Sequence, residues 1–257
     1  MISNRMPVAF IGHGSPMNAI ENNEFRQSWQ RISASLPRPK AILCISAHWE
    51  TSGSFVTGAL EPRTIHDFIG FPKELFELEY SAPGSEWLVE LVKRTVSSLE
   101  VMIDPLWGLD HGTWSILHPM FPLADVPVVQ LSLDQTRDLK FHYDLGKELA
   151  PLRDQGVLIL GSGNIVHNLR TVVFEDRAYD WAIDFDSKVK GWILDRDHES
   201  IVHYEKSGPS AALSINSAEH YLPLLYVLGA CDPLDNIQFF CEKVTAGSIS
   251  MRCVQFG

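Results

Sequence analysis

Three histidines in this chain stand just behind short apolar runs. They are His13 in Phe10-Ile11-Gly12-His13-Gly14-Ser15-Pro16, His48 in Ile45-Ser46-Ala47-His48-Trp49, and His167 in Gly161-Ser162-Gly163-Asn164-Ile165-Val166-His167-Asn168. In open α/β sheets the ligand site lies beyond the carboxyl ends of the strands. Imidazoles delivered to that edge can converge on one metal ion, and neutral imidazole nitrogen suits Zn, Fe or Cu. A single histidine in such a turn more often bonds a nearby carbonyl. Three at equivalent places, each in a Gly/Ser-rich turn, favour a shared role. The flanking Gly12, Gly14, Gly161 and Gly163 let the backbone turn and approach a ligand closely.

Other residues can join this site. In Ala218-Glu219-His220-Tyr221-Leu222-Pro223, at the start of a predicted helix over 218–230, two adjacent polar residues precede an apolar run. Adjacent helical positions point about 100° apart, so one of Glu219 and His220 faces the metal and the other stands behind it. In Trp107-Gly108-Leu109-Asp110-His111-Gly112, His111 sits next to a carboxylate that can orient it, a fitting place for a proton-transferring residue. His66, in Thr64-Ile65-His66-Asp67-Phe68, is as readily a substrate contact as a surface residue. His118, His142, His198 and His203 fall in helical or polar stretches and share no motif. The chain has no G-x-S-x-G elbow, no G-x-x-x-x-G-K-[ST] loop and no H-E-x-x-H helix, and Gly161-Ser162-Gly163 lacks the third glycine of the dinucleotide fingerprint.

The elements that must position these residues alternate in type. Apolar runs at 8–11, 41–46, 126–133 and 157–160 read as strands, and 22–36, 85–99 and 139–153 carry apolar residues at helical spacing. The segments 236–244 and 249–256, around Ala246-Gly247, read as a closing hairpin, which makes the sheet mixed. The expected fold is α/β: a single domain over 1–257 with a central mixed, mostly parallel sheet flanked by helices and the metal site at the C-terminal ends of the strands. The stretch 50–82, with Pro62, Gly70 and Pro72, reads as a long ordered loop and a candidate lid or substrate wall.

Composition narrows the function classes. With 21 Lys+Arg against 32 Asp+Glu the formal net charge is −11, which argues against nucleic acid. The apolar stretch near the N-terminus ends at Gly12 and His13, too short for a signal segment, and no stretch approaches the length of a membrane span. A cytoplasmic protein with no membrane partner is expected. Cys44, Cys231, Cys241 and Cys253 show no C-x-x-C spacing and read as buried reduced thiols.

These segments carry a resemblance. Gly12-His13-Gly14-Ser15-Pro16-Met17-Asn18, Ser46-Ala47-His48-Trp49, Thr64-Ile65-His66-Asp67-Phe68, Gly108-Leu109-Asp110-His111-Gly112, Ser162-Gly163-Asn164-Ile165-Val166-His167-Asn168-Leu169 and Glu219-His220-Tyr221-Leu222-Pro223 resemble the bacterial 4,5-DOPA dioxygenase extradiol family. That family lies within the class III extradiol ring-cleavage dioxygenases, related to the catalytic subunit of protocatechuate 4,5-dioxygenase. The resemblance covers nearly the whole chain.

It implies a non-haem Fe(II) enzyme that opens a catechol, such as L-DOPA, with O2 to a muconic semialdehyde. Zn(II) can occupy the same site. It implies His13, His48, His167 and His220 around the metal, with Glu219 as the alternative ligand. His111 and His167 become the acid/base residues, and His66 a substrate contact. The partners implied are a catechol and O2, with the chain a monomer or homodimer. The competing readings are a zinc-dependent hydrolase and a non-catalytic metal- or small-molecule-binding protein. A closed site with every ligand from protein favours binding, and an open position favours catalysis.

Overall fold

The computed structural model describes residues 5–257. Its strands are β1 (Val8–Gly12), β2 (Ala41–Thr51), β3 (Phe55–Thr57), β4 (Met102–Asp104), β5 (Val128–Asp134), β6 (Val157–Gly163), β7 (Ile237–Phe240), β8 (Val244–Thr245), β9 (Ile249–Ser250) and β10 (Cys253–Phe256). Its α-helices are α1 (Glu24–Ser35), α2 (Lys73–Phe76), α3 (Glu86–Thr95), α4 (His111–Met120), α5 (Leu139–Leu149), α6 (Asp180–Leu194), α7 (His198–Val202), α8 (Pro209–Ser214) and α9 (Leu222–Ala230).

One sheet holds eight strands in the order β4-β3-β5-β2-β6-β1-β10-β7. The central β5, β2, β6 and β1 run parallel, and β10 and β7 close one side antiparallel, so the sheet is mixed and mostly parallel at its centre, as expected. The predicted hairpin is the β7/β10 pair. Its tip folds into the small β8/β9 ladder, with Ala246 and Gly247 at positive φ.

Residues alternate along the central strands between two apolar layers. Val8, Phe10, Leu43, Ile45 and Ile159 face α3, α5, α6 and α9; Ala9, Ile11, Ile42, Cys44 and Leu160 face α1 and α4. Both faces are covered, which is why these strands read as continuous apolar runs rather than alternating ones.

β2 extends to Thr51, past the predicted end at Ser46, and its register against β5 shifts between Ile45 and Glu50. His48 therefore lies on an irregular strand extension that projects beyond the parallel ladder. The predicted 50–82 loop is mostly irregular, with β3 and α2 the regular pieces inside it. No helix among the described residues is long and apolar enough to cross a membrane. The four cysteines are free; Cys44 and Cys253 are buried as expected, whereas Cys231 and Cys241 are half-buried.

Where the N-terminal strand meets the C-terminal hairpin, the fully buried Arg153 donates from Nη1 and Nη2 to Asp235 at 2.6 and 3.0 Å and from Nε to Met6 O at 2.7 Å. Breaking a buried pair of this kind typically costs about 3–5 kcal/mol. Arg153→Met is expected to destabilise the fold by about that much, read by urea denaturation. Burial alone would raise the Asp235 carboxyl, but the Arg153 hydrogen bonds hold it below the usual carboxylate range. Its contribution is thus complete above the ordinary carboxylate pKa and is lost as pH falls through the lowered value. The Arg153→Met variant should lose part of that acid dependence, the Asp232 N–H still donating to Asp235 at 2.7 Å.

Candidate functional site

β1 and β6 run side by side, with Gly12 opposite Gly163, and Ser46 of β2 lies opposite Ser162. These pairings bring the turn carrying His13, the end of β6 and the extension carrying His48 to one level at the carboxyl edge. The His13 backbone N–H donates to Gly163 O at 3.0 Å. His220 arrives from the other side. A Cβ on Gly163 would lie 2.2 Å from His220 O, and one on Gly161 2.5 Å from Pro223 O, so the end of β6 must be glycine for the first turn of α9 and the turn ahead of it to seat against it. The Asn164 N–H donates to the same His220 O at 2.8 Å.

Here the structure departs from the expected helix over 218–230. α9 begins at Leu222, and Glu219 and His220 lie in the preceding turn. The helical 100° offset therefore does not govern them, and their side chains meet: His220 Nδ1 is 3.0 Å from Glu219 Oε1.

Hydrogen bonds decide which nitrogen His13 and His220 offer, and position decides it for His48. Ser162 Oγ spends its proton on Gly112 O at 2.5 Å, so it accepts from His13 Nδ1, 2.9 Å away, and His13 Nε2 is left as a bare lone pair. His48 turns Nδ1 toward Asp67 Oδ2 at 3.4 Å and Nε2 toward His13 Nε2 at 3.4 Å. The Glu219 carboxylate holds the proton of His220 on Nδ1, freeing the other nitrogen. One ligand atom from each of His13, His48 and His220 lies within 4.8 Å of the others.

Burial, reinforced by the neighbouring imidazoles, pushes His13, His48 and His220 down, so all three are neutral near pH 7. With His13 Nε2 and His48 Nε2 only 3.4 Å apart, a cation within reach of all three rings would satisfy both nitrogens at once. The donor set fits a divalent transition metal.

Around this triad stand two further histidines. The His167 ring stacks on His220 with centroids 3.5 Å apart and planes at 10°, and burial pushes it down to about 4. It also forms a close donor group with Glu219 and His220. His111, the first residue of α4, lies with its ring centroid 3.8 Å from that of His48. Its backbone N–H donates to Asp67 Oδ1 at 2.9 Å, and its Nδ1 lies 3.0 Å from Asp67 Oδ2 without being aligned on it as a hydrogen bond.

The carboxylate beside the His111 ring is thus Asp67 and not its neighbour Asp110. Asp110 caps α4 by accepting from the Thr113 N–H at 3.0 Å, and it is anchored by Ser46 Oγ at 2.7 Å and Gln130 Nε2 at 2.6 Å. Burial raises the Asp110 carboxyl. Burial would raise Asp67 too, but hydrogen bonding and charge from His111 outweigh it and hold Asp67 low.

The loop that delivers Asp67 is pinned by Ile65 N–H to Leu109 O at 2.8 Å and Leu109 N–H to Arg63 O at 2.8 Å. His66 is on that loop, but its Nε2 lies on Leu78 O at 3.0 Å and its ring packs against Phe68, Phe76 and Trp114, outside the histidine cluster. Of the aromatic residues nearby, Phe68 meets His111 edge to face at 5.5 Å. The four remaining histidines have ordinary partners: His118 on Ala19 O, His142 on Tyr226 Oη, His198 on Tyr143 Oη and His203 on Glu199.

Comparison with known proteins shows the family. Residues 7–249 match the family model of the catalytic LigB subunit of aromatic ring-opening dioxygenase. The chain is 45% identical over 263 residues to a 4,5-DOPA dioxygenase extradiol of Escherichia coli K12, covering 100% of this chain and 97% of that one. It is 41% identical over 255 residues to a 4,5-DOPA dioxygenase extradiol of Beta vulgaris, covering 96% and 95%. The crystal structure of an uncharacterized protein from Escherichia coli K12 superposes with a TM-score of 0.87 at 40% identity over 98% of this chain and 100% of that one. With a family model spanning nearly all of its length, and with relatives of this identity and coverage, the chain belongs to the LigB family of aromatic ring-opening dioxygenases.

Proposed function

We propose that this chain, folded as one domain over 1–257, is an extradiol dioxygenase that opens a catechol bearing a side chain, such as L-DOPA, to a muconic semialdehyde. His13, His48 and His220 hold Fe(II) in this reading, and Zn(II), which suits the same nitrogen donors, fills the site without supporting the reaction. The observation that carries it is the convergence of three imidazoles: Ser162 and Glu219 engage Nδ1 of His13 and His220 and so turn their other nitrogens inward, and His48 Nε2 lies 3.4 Å from His13 Nε2. Three protein ligands leave coordination positions open, as a catalyst requires. Fe(II) held by these residues would supply Lewis-acid activation of the catechol and electron transfer to O2.

The chain's own residues supply the proton chemistry. His111 takes a proton from the catechol, and the Asp67 carboxylate at its Nδ1 stabilises the imidazolium that forms. His167, neutral and stacked on His220, is a second base beside the triad. Asp67 also aims His48, so one carboxylate serves a metal ligand and a base at once. His66 holds the loop wall through Leu78 O and reaches substrate only indirectly, through the neighbouring Phe68. Free cysteines and the acidic net charge suit action in the cytoplasm. Membership of a ring-opening family favours this reading over a zinc hydrolase or a passive binder.

The test is anaerobic loading of the apo-protein with Fe(II), then admission of air with a panel of catechols. O2 uptake together with a yellow semialdehyde chromophore, both vanishing when Zn(II) replaces Fe(II), is the expected result. An iron-loaded protein that shows neither across a broad panel would sink the proposal.

A further inference from the structure

Two of the four cysteines meet at the C-terminal hairpin. Cys253 of β10 pairs directly with Phe240 of β7, the residue before Cys241. Strand alternation would send the next side chain to the opposite face. Cys241 instead takes a left-handed backbone, with φ 53°, and packs against the same apolar layer as Phe240 and Cys253. Opposed Cα atoms in an antiparallel ladder lie about 4.5–5.5 Å apart and successive ones about 3.8 Å, so the Cα atoms of Cys241 and Cys253 stand roughly 6 Å apart, within the span of a disulfide. The two thiols hydrogen-bond to each other.

Their environments differ. Cys253 is fully buried, and burial pushes its thiol well up. Cys241 is half-buried and lines a cavity of about 340 Å³ together with Ser28 and Arg31. The hydrogen bond from Cys253, helped by one from Ser28, outweighs burial and holds the Cys241 thiol below its usual range. An accessible thiol with thiolate character beside a second, resolving thiol is the arrangement that oxidises selectively. Burial pushes Cys44 up to about 12 and Cys231 up to about 11, so neither competes.

The pair also touches the metal site. Cys253 Sγ accepts from the Gly12 N–H at 3.2 Å, one residue before His13. The turn carrying His13 is seated on the segment ahead of β10 without slack. A Cβ on Gly12 would lie 2.7 Å from Met251 C, and one on Gly14 2.3 Å from Met251 Sδ.

Resting on the reading that His13 holds the metal, we propose that Cys241 and Cys253 are a peroxide-oxidisable pair whose disulfide loosens the metal at His13. The Cys241 thiolate attacks one oxygen of H2O2 and the O–O bond breaks; hydroxide leaves, takes up the proton that Cys241 had released, and a sulfenic acid remains. The Cys253 sulfur then attacks the Cys241 sulfur, the S–O bond breaks, and the hydroxyl departs as water with the Cys253 proton. The two thiols give up two electrons, and one peroxide becomes two waters. The sulfurs close from hydrogen-bond contact to about 2.05 Å, which draws Cys253 Sγ away from the Gly12 N–H. A dithiol reverses the change by exchange.

The test uses the Zn(II)-loaded protein, in which the metal itself cannot be oxidised, treated with H2O2 and quenched with catalase. Peptide mass mapping should find a Cys241–Cys253 disulfide, with Cys44 and Cys231 still free. Zn(II) affinity, from a competition titration, should fall by roughly tenfold or more and return with dithiothreitol. Cys241→Ser should form no disulfide and keep its affinity through the treatment. Cys253→Ser, which retains a hydroxyl acceptor for Gly12, should stop at a Cys241 sulfenic acid that dimedone traps.

Oxidation spread evenly over the four cysteines, or no Cys241–Cys253 disulfide, overturns the pair. A disulfide that leaves Zn(II) affinity unchanged, or an equal fall in Cys241→Ser, overturns its link to His13. Reduced wild-type protein that binds no Zn(II) overturns the metal reading itself and the link with it, whatever the thiol map shows.

Discussion

His220→Ala is expected to lose its metal on dialysis and to show no ring opening, whereas Glu219→Gln keeps the metal with affinity lowered by roughly 10–100-fold. The two residues are adjacent, and both side chains are within reach of the cluster, so the hydrogen bonds must decide between them. Glu219 Oε1 accepts from Ser217 Oγ at 3.0 Å and stands 3.0 Å from His220 Nδ1, so this oxygen is already engaged by two partners. The His220 ring projects its remaining nitrogen into the group formed with His13 and His48. Deleting the ring removes a donor outright; neutralising the carboxylate only loosens the ring's orientation and basicity. The His220 backbone carbonyl still accepts from Asn164 N–H in the alanine variant, so the turn should hold, and unchanged circular dichroism would check this. Metal content by mass spectrometry and a competition titration give the two affinities. The opposite ranking, with metal lost on Glu219→Gln and kept on His220→Ala, would make Glu219 the ligand.

That this pair had to be settled from structure shows where the sequence stops being informative. The strands that carry His13, His48 and His167 are legible because strands buried on both faces are plain apolar runs, and the glycines and serines behind them mark the sheet edge. The turn at Glu219 and His220 is not legible, because the apolar run of α9 gives no sign that the first residues ahead of it leave the helix. β3 and β4 are three residues each, too short to carry a period, and Met102 and Ile103 are largely exposed. The sequence assigns no helix to α6 for a different reason. Its buried face includes Asp186, paired in the core with Arg252 through Oδ1 and Oδ2 at 3.0 Å from Nε, and a charge inside the apolar stripe hides the helical pattern.

Within the site, the sequence points to Asp110 as the partner of His111 because the two are neighbours in the chain. An N-cap aspartate, however, turns its carboxylate back onto the backbone N–H groups of the first turn, away from the side chain that follows. The true partner, Asp67, comes from 44 residues upstream. Its only sequence signal is a place beside His66 in a motif where the histidine draws the eye. A contact made by a long irregular loop has no periodicity to betray it; here the backbone bridge between the loop and Leu109 sets the distance.

His111→Ala is expected to lower turnover by roughly 10²–10⁴-fold while sparing metal content, the range that a positioned general base typically contributes. The ring is not a member of the triad with His13 and His220; it packs on the His48 ring and shares Asp67 with it in a second donor group, and its loss leaves the three inward nitrogens in place. Asp67→Asn should behave differently in an informative way. It removes the charge that stabilises a protonated His111, which lowers turnover, and it also removes the carboxylate that aims His48, which weakens the metal by roughly 10–100-fold. In the double variant the turnover losses should fall well short of multiplying, because without the His111 ring the carboxylate has no imidazolium to stabilise. The metal weakening, in contrast, should appear in the double variant undiminished, since it runs through His48. Turnover is to be compared at saturating Fe(II), so that the two effects separate. Full turnover in His111→Ala, or metal lost from it, would remove His111 from the proton chemistry and leave His167 as the base.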